Sequence, residues 1–162
     1  MSAEIFLKIS GVNGEAHAKG HEKEIEISSF SMGAHNPSSV STGMGSGAGK
    51  VEISSITLTK TVDLSSAILF QKCCEGKHFD EATLTVRKSG GDSPVEYWTM
   101  KMKQVFVDNV NWDGTKGGDT VSEHFSLSFA ECKFTYWSQN EKGAKDQKME
   151  AGWNVKQNAA AA

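Results

Sequence analysis

The stretch from Lys50 to Arg87 constrains the fold most, because its apolar residues change period twice. From Val51 to Val62 apolar and polar residues alternate as in a strand, with a one-residue slip at Ser54-Ser55 that predicts a bulge. Residues 64–75 then follow helical spacing, after which strict alternation returns. This order predicts a strand, one short helix and a second strand.

The predicted helix has both of its ends marked in the sequence. Asp63 is a good N-cap, because its carboxylate can accept a hydrogen bond from a free N–H of the first turn. Gly76 supplies the left-handed position that commonly follows a helix. The spacing predicts that the helix packs through a stripe of Ala67, Phe70 and Cys74, with Leu64 and Ile68 beside it.

The rest of the chain is predicted to be β structure. Alternation predicts strands over residues 3–10, 24–35, 95–112 and 121–137. Over residues 95–112 the even positions carry the large apolar side chains Trp98, Met100, Met102, Phe106 and Val110. Further slips fall near Ser28-Ser29 and Ala130-Glu131, and repeated bulges are typical of strongly curved sheets. The pattern therefore predicts a small, closed or nearly closed β-barrel or sandwich with the helix packed on it.

Composition excludes several classes of function. The chain of 162 residues fits one domain with a substantial core. A net charge of -3 and a pI near 5.9 argue against a protein that binds nucleic acid through its phosphates. No stretch is long and apolar enough for insertion into a membrane. We expect a protein that neither binds nucleic acid nor inserts into membranes.

The amino terminus and the cysteines bear on the compartment. The start, MSAEIFLKIS, lacks the basic and apolar regions of a cleaved secretory signal. The odd set of Cys73, Cys74 and Cys132 does not suggest a disulfide framework, and buried reduced thiols are the favoured interpretation over a reactive thiol. These features predict folding in a reducing cytosol.

No catalytic or metal site is predicted. The glycine-rich segment before Lys50 lacks the phosphate-loop pattern, because Met44 stands where glycine is needed and Val51 where Ser or Thr is needed. His17 and His21 are four residues apart but lie in a polar loop without a third ligand, which favours surface histidines. No nucleophile motif occurs either. We expect no enzyme activity, no metal and no cofactor.

Several stretches together resemble one protein family. They are IFLKISGVNGEA, EIEISSFSMG, GAGKVEISSITLTKTVD, EGKHF, LTVRKSGG, EYWTMKMKQVFVDNV, GGDTVSEHFSLSFAECKFTY and GWNVKQN. In this order they resemble the hemolysin-coregulated protein (Hcp) family of bacterial type VI secretion over nearly the whole chain. The similarity includes loops and turns, where a shared architecture alone would not require the same residues.

The resemblance implies a fold, an assembly and partners. The fold would be a β-barrel of two antiparallel sheets with one flanking helix, in a single domain over residues 1–158. Six copies would form a ring, and rings would stack into a hollow tube inside a contractile sheath, tipped by a trimeric VgrG-type spike. The tube would assemble in the bacterial cytoplasm, leave without a cleaved signal, and carry or chaperone small effectors in its lumen.

The resemblance also directs attention to particular residues. Ser29 and Ser31 are candidates for lining the lumen, because they are small and polar and Ser31 points away from Phe30 and Met32 by alternation. An ordinary exposed serine remains the alternative. The loops 36–49 and 113–120 are candidates for contacts between subunits or rings, through Pro37, Ser41, Gly43, Gly45, Gly47, Asp113, Gly117 and Gly118. A solvated linker is the alternative for the first loop.

Two other classes of protein remain to be weighed. The β content alone also fits a small-molecule-binding barrel similar to a lipocalin, and an enzyme such as a hydrolase would need a site that the sequence does not show. Neither alternative requires a ring of six. For residues 159–162 we expect a disordered tail or an expression remnant.

Overall fold

The computed structural model describes residues 2–37, 49–89 and 93–161, which contain eleven strands and one helix. The helix, α1, is Ser66–Glu75. The strands are β1 Ala3–Ile9, β2 Ile25–Ile27, β3 Ser29–Ser31, β4 Ala34–His35, β5 Glu52–Ile53, β6 Ile56–Thr61, β7 Phe79–Lys88, β8 Val95–Asp113, β9 Ser122–Gln139, β10 Lys145–Asn154 and β11 Ala159–Ala160. The prediction of a mainly β chain with one short helix is confirmed.

Antiparallel pairing joins nine of these strands in one sheet, and β4 and β5 form a separate pair. The main path runs β11-β10-β9-β8-β7-β1-β2. Strand β9 also pairs with β6 through its first half, and β6 pairs with β3. The sheet therefore folds over on itself around the long β8–β9 pair.

The described strands do not form a closed barrel, which leaves the nearly closed barrel or sandwich among the predicted alternatives. β2 pairs with β1, whereas β3, one residue further on, pairs with β6. The change of partner occurs at Ser28, whose N–H donates to the carbonyl oxygen of Thr59 at 2.7 Å. The segment of β2 and β3 hydrogen-bonds to β1 in its first part and to β6 in its second part. The strand pairing is therefore interrupted at Ser28, where a barrel would close.

Two of the three predicted bulges lie where the strands break, and the third lies within β9. Ser28 separates β2 from β3, and Ser54-Ser55 separates β5 from β6, as predicted. Within β9, the register of the neighbouring residue pairs places Ala130 opposite Gln104 of β8. Gln104 has a positive φ of 50°. This irregularity switches the buried face of β8 from even to odd positions, so Val105 and Val107 are buried. Phe106, which the alternation had placed with the other large apolar side chains at even positions, is 36% exposed.

The core lies between the folded-over parts of the sheet. Its buried side chains come from β1, β2, β6, β7, β8 and β9, with Leu69 contributed by α1. Along β6 the core residues Ile56 and Leu58 alternate with outward Thr57 and Thr59. Period-two alternation therefore gives this region one apolar face and one polar face.

The helix differs from its prediction at its start and in its face. Asp63 lies just before α1 and accepts a hydrogen bond from the N–H of Ser65 at 2.8 Å, so it closes the preceding turn. Gly76 has φ 66° and donates to the carbonyl of Lys72 at 3.0 Å, which confirms the predicted stop. The buried helix residues are Ser66 and Leu69. The predicted stripe is wrong, since Phe70 is 48% exposed.

The expected disordered tail is not what the structure shows at Ala159 and Ala160. These residues form β11 and pair with Asn154 and Trp153 at the end of β10. Asn158, with φ 52°, reverses the chain before this pairing. The described part of the chain contains no helix long and apolar enough to cross a membrane.

Candidate functional site

Four neighbouring strands present small polar side chains on one surface. The register aligns β3, β6, β9 and β8 so that polar residues meet side by side in two rows, all at least partly exposed except Ser126, which is 7% exposed. We call these eight residues the polar face: Ser29, Thr59, His124 and Asn111 in the first row, and Ser31, Thr57, Ser126 and Asn109 in the second. Hydroxyls, amides and one imidazole thus cover a continuous area.

Side-chain hydrogen bonds link several members of the polar face. Thr59 Oγ1 lies 3.2 Å from His124 Nδ1, and Thr57 Oγ1 lies 3.3 Å from Ser126 Oγ. Asn111 Nδ2 donates to Asn109 Oδ1 at 3.3 Å. Hydroxyls and amides both donate and accept, and the face contains no Asp, Glu, Lys or Arg. It can therefore hydrogen-bond to varied polar partners without selecting for their charge.

The structure places both predicted lumen residues on this polar face. Ser29 and Ser31 are exposed, whereas Phe30 between them turns inward and stacks on Trp98 with ring centroids 5.1 Å apart. The sequence reasoning missed the six other members of the face. A usable signal was present in ITLTKT (β6), where alternating threonines mark an outward polar side opposite Ile56 and Leu58.

The predicted contact loops are only partly described. Pro37 is exposed, and Ser41, Gly43, Gly45 and Gly47 lie outside the described residues. At the other loop Asp113 ends β8 with its side chain 75% exposed. Gly117 has φ 90°, and the Gly118 N–H donates to the carbonyl of Thr115 at 3.0 Å. Residues 114–121 thus form a compact exposed turn between β8 and β9.

Next to this turn lies an apolar surface that the sequence did not reveal. It consists of four large side chains around one open depression, and we call it the helix patch: Val62, Phe70, Trp112 and Val121. They are 41–48% exposed, and the Phe70 and Trp112 ring centroids are 5.4 Å apart. The prediction had assigned Phe70 to the buried side of the helix.

A second apolar surface lies on the β9–β10 hairpin, and we call it the hairpin patch. Its members are Phe134, Tyr136 and Met149, which are 38%, 44% and 67% exposed. Met149 lies opposite Tyr136 across the two strands. Phe134 lies opposite the buried Met100 of β8, so the patch extends the core face past the edge of the core.

Several titratable side chains of the described residues are buried or form ion pairs. No group of three or more His, Cys, Asp or Glu side chains that could hold a metal occurs within residues 2–37, 49–89 and 93–161. His21, predicted at the surface, is buried, because both ring nitrogens bond to carboxylates of Glu24 and Glu96. Burial raises the pKa of the Cys132 thiol above its ordinary value, and Cys74 is exposed.

Comparison with known proteins identifies the class. Residues 6–136 match the model of the family described as "Type VI secretion system effector, Hcp". The chain belongs to this Hcp family of type VI secretion proteins. The family is one of structural, secreted proteins and is not a known enzyme family.

Individual relatives agree with this class over their full lengths. A curated relative, "Protein hcp1" of Pseudomonas aeruginosa strain PAO1, is 39% identical over 162 residues, which cover 99% of this chain and 100% of the relative. The solved structure of Hcp1 from Salmonella typhimurium is 31% identical, with a TM-score of 0.81 and coverage of 99% and 100%. A solved type six secretion system protein is 26% identical, with a TM-score of 0.92 and the same coverage.

Proposed function

We propose that this chain is the structural subunit of a type VI secretion inner tube. Six copies form a ring, rings stack into a hollow tube, and contraction of the surrounding sheath exports the tube with a trimeric VgrG-type spike at its tip. Small secreted effectors ride in the lumen, where the ring holds and chaperones them. Membership of the Hcp family supports this proposal.

The polar face is the observation that carries the proposal. A wall of a transport channel has to contact cargo without binding it irreversibly. The eight polar residues offer hydrogen-bond donors and acceptors, and the apolar residues between the two rows, Phe30, Leu58, Val110 and Phe125, lie in the core or pack against it. Such a surface exchanges its hydrogen bonds with water at little net free energy, which suits reversible holding.

Assembly is supported by what the single chain leaves exposed. The helix patch and the hairpin patch together contribute seven large apolar side chains to the surface. Contiguous apolar patches on a protein surface mark sites of association. We further propose that the loop 36–49 and the turn 113–120 contribute contacts between subunits or rings, and that deleting residues 41–47 leaves a folded subunit that no longer assembles.

The first experiment is a measurement of solution mass by light scattering after size exclusion. A ring of six 17.5 kDa chains has a mass of about 105 kDa, and negative-stain images of that peak should show open rings. A monomer across the micromolar range, with no rings in the images, would contradict the proposed assembly.

A second experiment tests the lumen. Ser31→Gln adds a longer amide side chain to the polar face, and Ser93→Gln makes the same change at an exposed turn residue away from it. We expect both variants to form rings and only the Ser31 variant to lose retention of a co-expressed effector. If the two variants retained the effector equally, Ser31 would not be part of the surface that contacts cargo.

A further inference from the structure

We propose that the helix patch of one copy of this chain packs against the hairpin patch of the next copy. The inference rests on the proposed self-assembly and assigns to it the two surfaces that meet. The partner that covers each patch is therefore a second copy of this same chain.

The helix patch has the properties of a contact surface. Its four side chains come from three elements, namely the end of β6, helix α1 and the β8–β9 turn region. Two of them, Phe70 and Trp112, are aromatic and already in mutual contact. Aromatic residues that are pre-positioned in this way are enriched at the centre of protein interfaces, because they bury a large area at a small cost in side-chain entropy.

The hairpin patch is an uncovered continuation of the core. Along β9 the inward positions Cys132, Phe134 and Tyr136 follow one another, and their exposed fraction rises from 9% to 38% and 44%. On the neighbouring strand Met149 continues the same face. A sheet face that is apolar on the core side normally packs against another layer, and no such layer covers the hairpin patch among residues 2–37, 49–89 and 93–161.

The two patches lie toward opposite ends of the β8–β9 pair. Trp98 pairs with Tyr136 near one end, and Trp112 pairs with Glu123 near the other. The fifteen residues of β8 from Trp98 to Trp112 span on the order of 45 Å along the strand. Each patch is exposed in the single chain, so neither covers the other, and unlike patches at opposite ends predict head-to-tail association.

The charges beside the two patches are complementary. The turn 113–120, next to the helix patch, carries Asp113, Asp119 and Lys116, a net charge of -1. The β9–β10 residues next to the hairpin patch carry Lys133, Lys142, Lys145 and Lys148 against Glu141, Asp146 and Glu150, a net charge of +1. Opposite charges at the rim of an interface favour encounter and correct orientation. They favour the contact between unlike patches over contacts between like ones.

The test uses one charged substitution in each patch. Phe70→Glu disables the helix patch and Met149→Glu the hairpin patch, and both side chains are about half exposed or more in the single chain. We expect each variant alone to sediment as a 17.5 kDa monomer. An equimolar mixture should give a dimer of about 35 kDa and nothing larger, because only one pair of intact unlike patches exists between the two chains.

Ile68→Glu serves as the matched control on the same helix, outside the patch, and should keep the wild-type mass. Circular dichroism and thermal melting check that each variant is folded, and Val121→Asp with Tyr136→Lys repeats the mixing test at second positions. The pairing of the patches would be overturned if either variant alone formed dimers or if the mixture stayed monomeric. It would also be overturned if both variants kept the wild-type mass. A wild-type protein that is itself monomeric would instead overturn the assembly on which the pairing rests.

Discussion

Lys60 and Glu123 form an ion pair in which neither side chain is exposed to solvent, and the pair joins β6 to β9. Lys60 Nζ also donates to Asp63 Oδ1 and Ser66 Oγ, each at 2.9 Å. Ser66 Oγ in turn donates to Glu123 Oε2 at 2.8 Å. The pair thereby fixes the first turn of α1 to the sheet, and through it the position of Phe70 in the helix patch.

Breaking this ion pair from one side should destabilise the fold strongly. Glu123→Gln leaves the Lys60 ammonium buried without its carboxylate, and we expect a loss of about 3–5 kcal/mol in the free energy of unfolding. Replacing both partners by Met and Leu should cost less than the two single changes added together. Glu150→Gln, which breaks exposed pairs with Lys133 and Lys148, is the control and should leave the urea midpoint unchanged.

The contrast between Leu69 and Phe70 tests the observed face of the helix. Leu69→Ala opens a cavity in the core and should lower the free energy of unfolding by about 2–5 kcal/mol. Phe70→Ala should cost the monomer less than half of that while weakening assembly. Chemical denaturation gives the first quantity and light scattering the second. If Phe70→Ala were the more destabilising change in the monomer, the helix face described above would be wrong.

His21 should contribute to the stability of the loop between β1 and β2. Its Nδ1 lies 2.8 Å from Glu24 Oε2 and its Nε2 lies 2.6 Å from Glu96 Oε1, and its ring stacks on Phe6 at 4.5 Å. Both ring nitrogens of this buried residue therefore have a carboxylate partner. His21→Ala should lower the free energy of unfolding by about 2–3 kcal/mol, measured by urea unfolding. The exposed His17→Ala should have no measurable effect.

The three cysteines should react at different rates with an alkylating reagent at pH 8. Cys74 is exposed and should react first, whereas Cys132 is buried with a raised pKa and should react last. Mass spectrometry of partly labelled protein measures this order. Because folding favours the neutral Cys132 thiol, its contribution to stability is present below the unfolded thiol pKa and is lost as the pH rises through the folded value. Early labelling of Cys132 would show that β9 and β10 separate readily.

Local signals in the sequence predicted most of the strands and the turns. Alternation predicted β1, β6, β7, β8 and β9 but not β10, and the slips at Ser28 and Ser54-Ser55 marked the breaks that separate β2 from β3 and β5 from β6. Gly76 marked the end of the helix, because the left-handed position there favours glycine. Alternation also placed Ser29 and Ser31 on the polar side of β3, opposite Phe30. Each of these features depends on neighbours in the sequence.

Backbone periodicity sets which residues share a side of a strand, so local patterns were enough to specify the β class, the single short helix and the apolar and polar sides of the strands. Which side is covered depends on packing between elements that are distant in the chain. Helix α1 carries apolar residues around most of its circumference, so burial of Ser66 beside Lys60 and Glu123 turned Leu69 inward and left Phe70 outside. Pairing between strands distant in sequence likewise joined Ser31, Thr57, Ser126 and Asn109 into one row, and no local pattern specifies such a register.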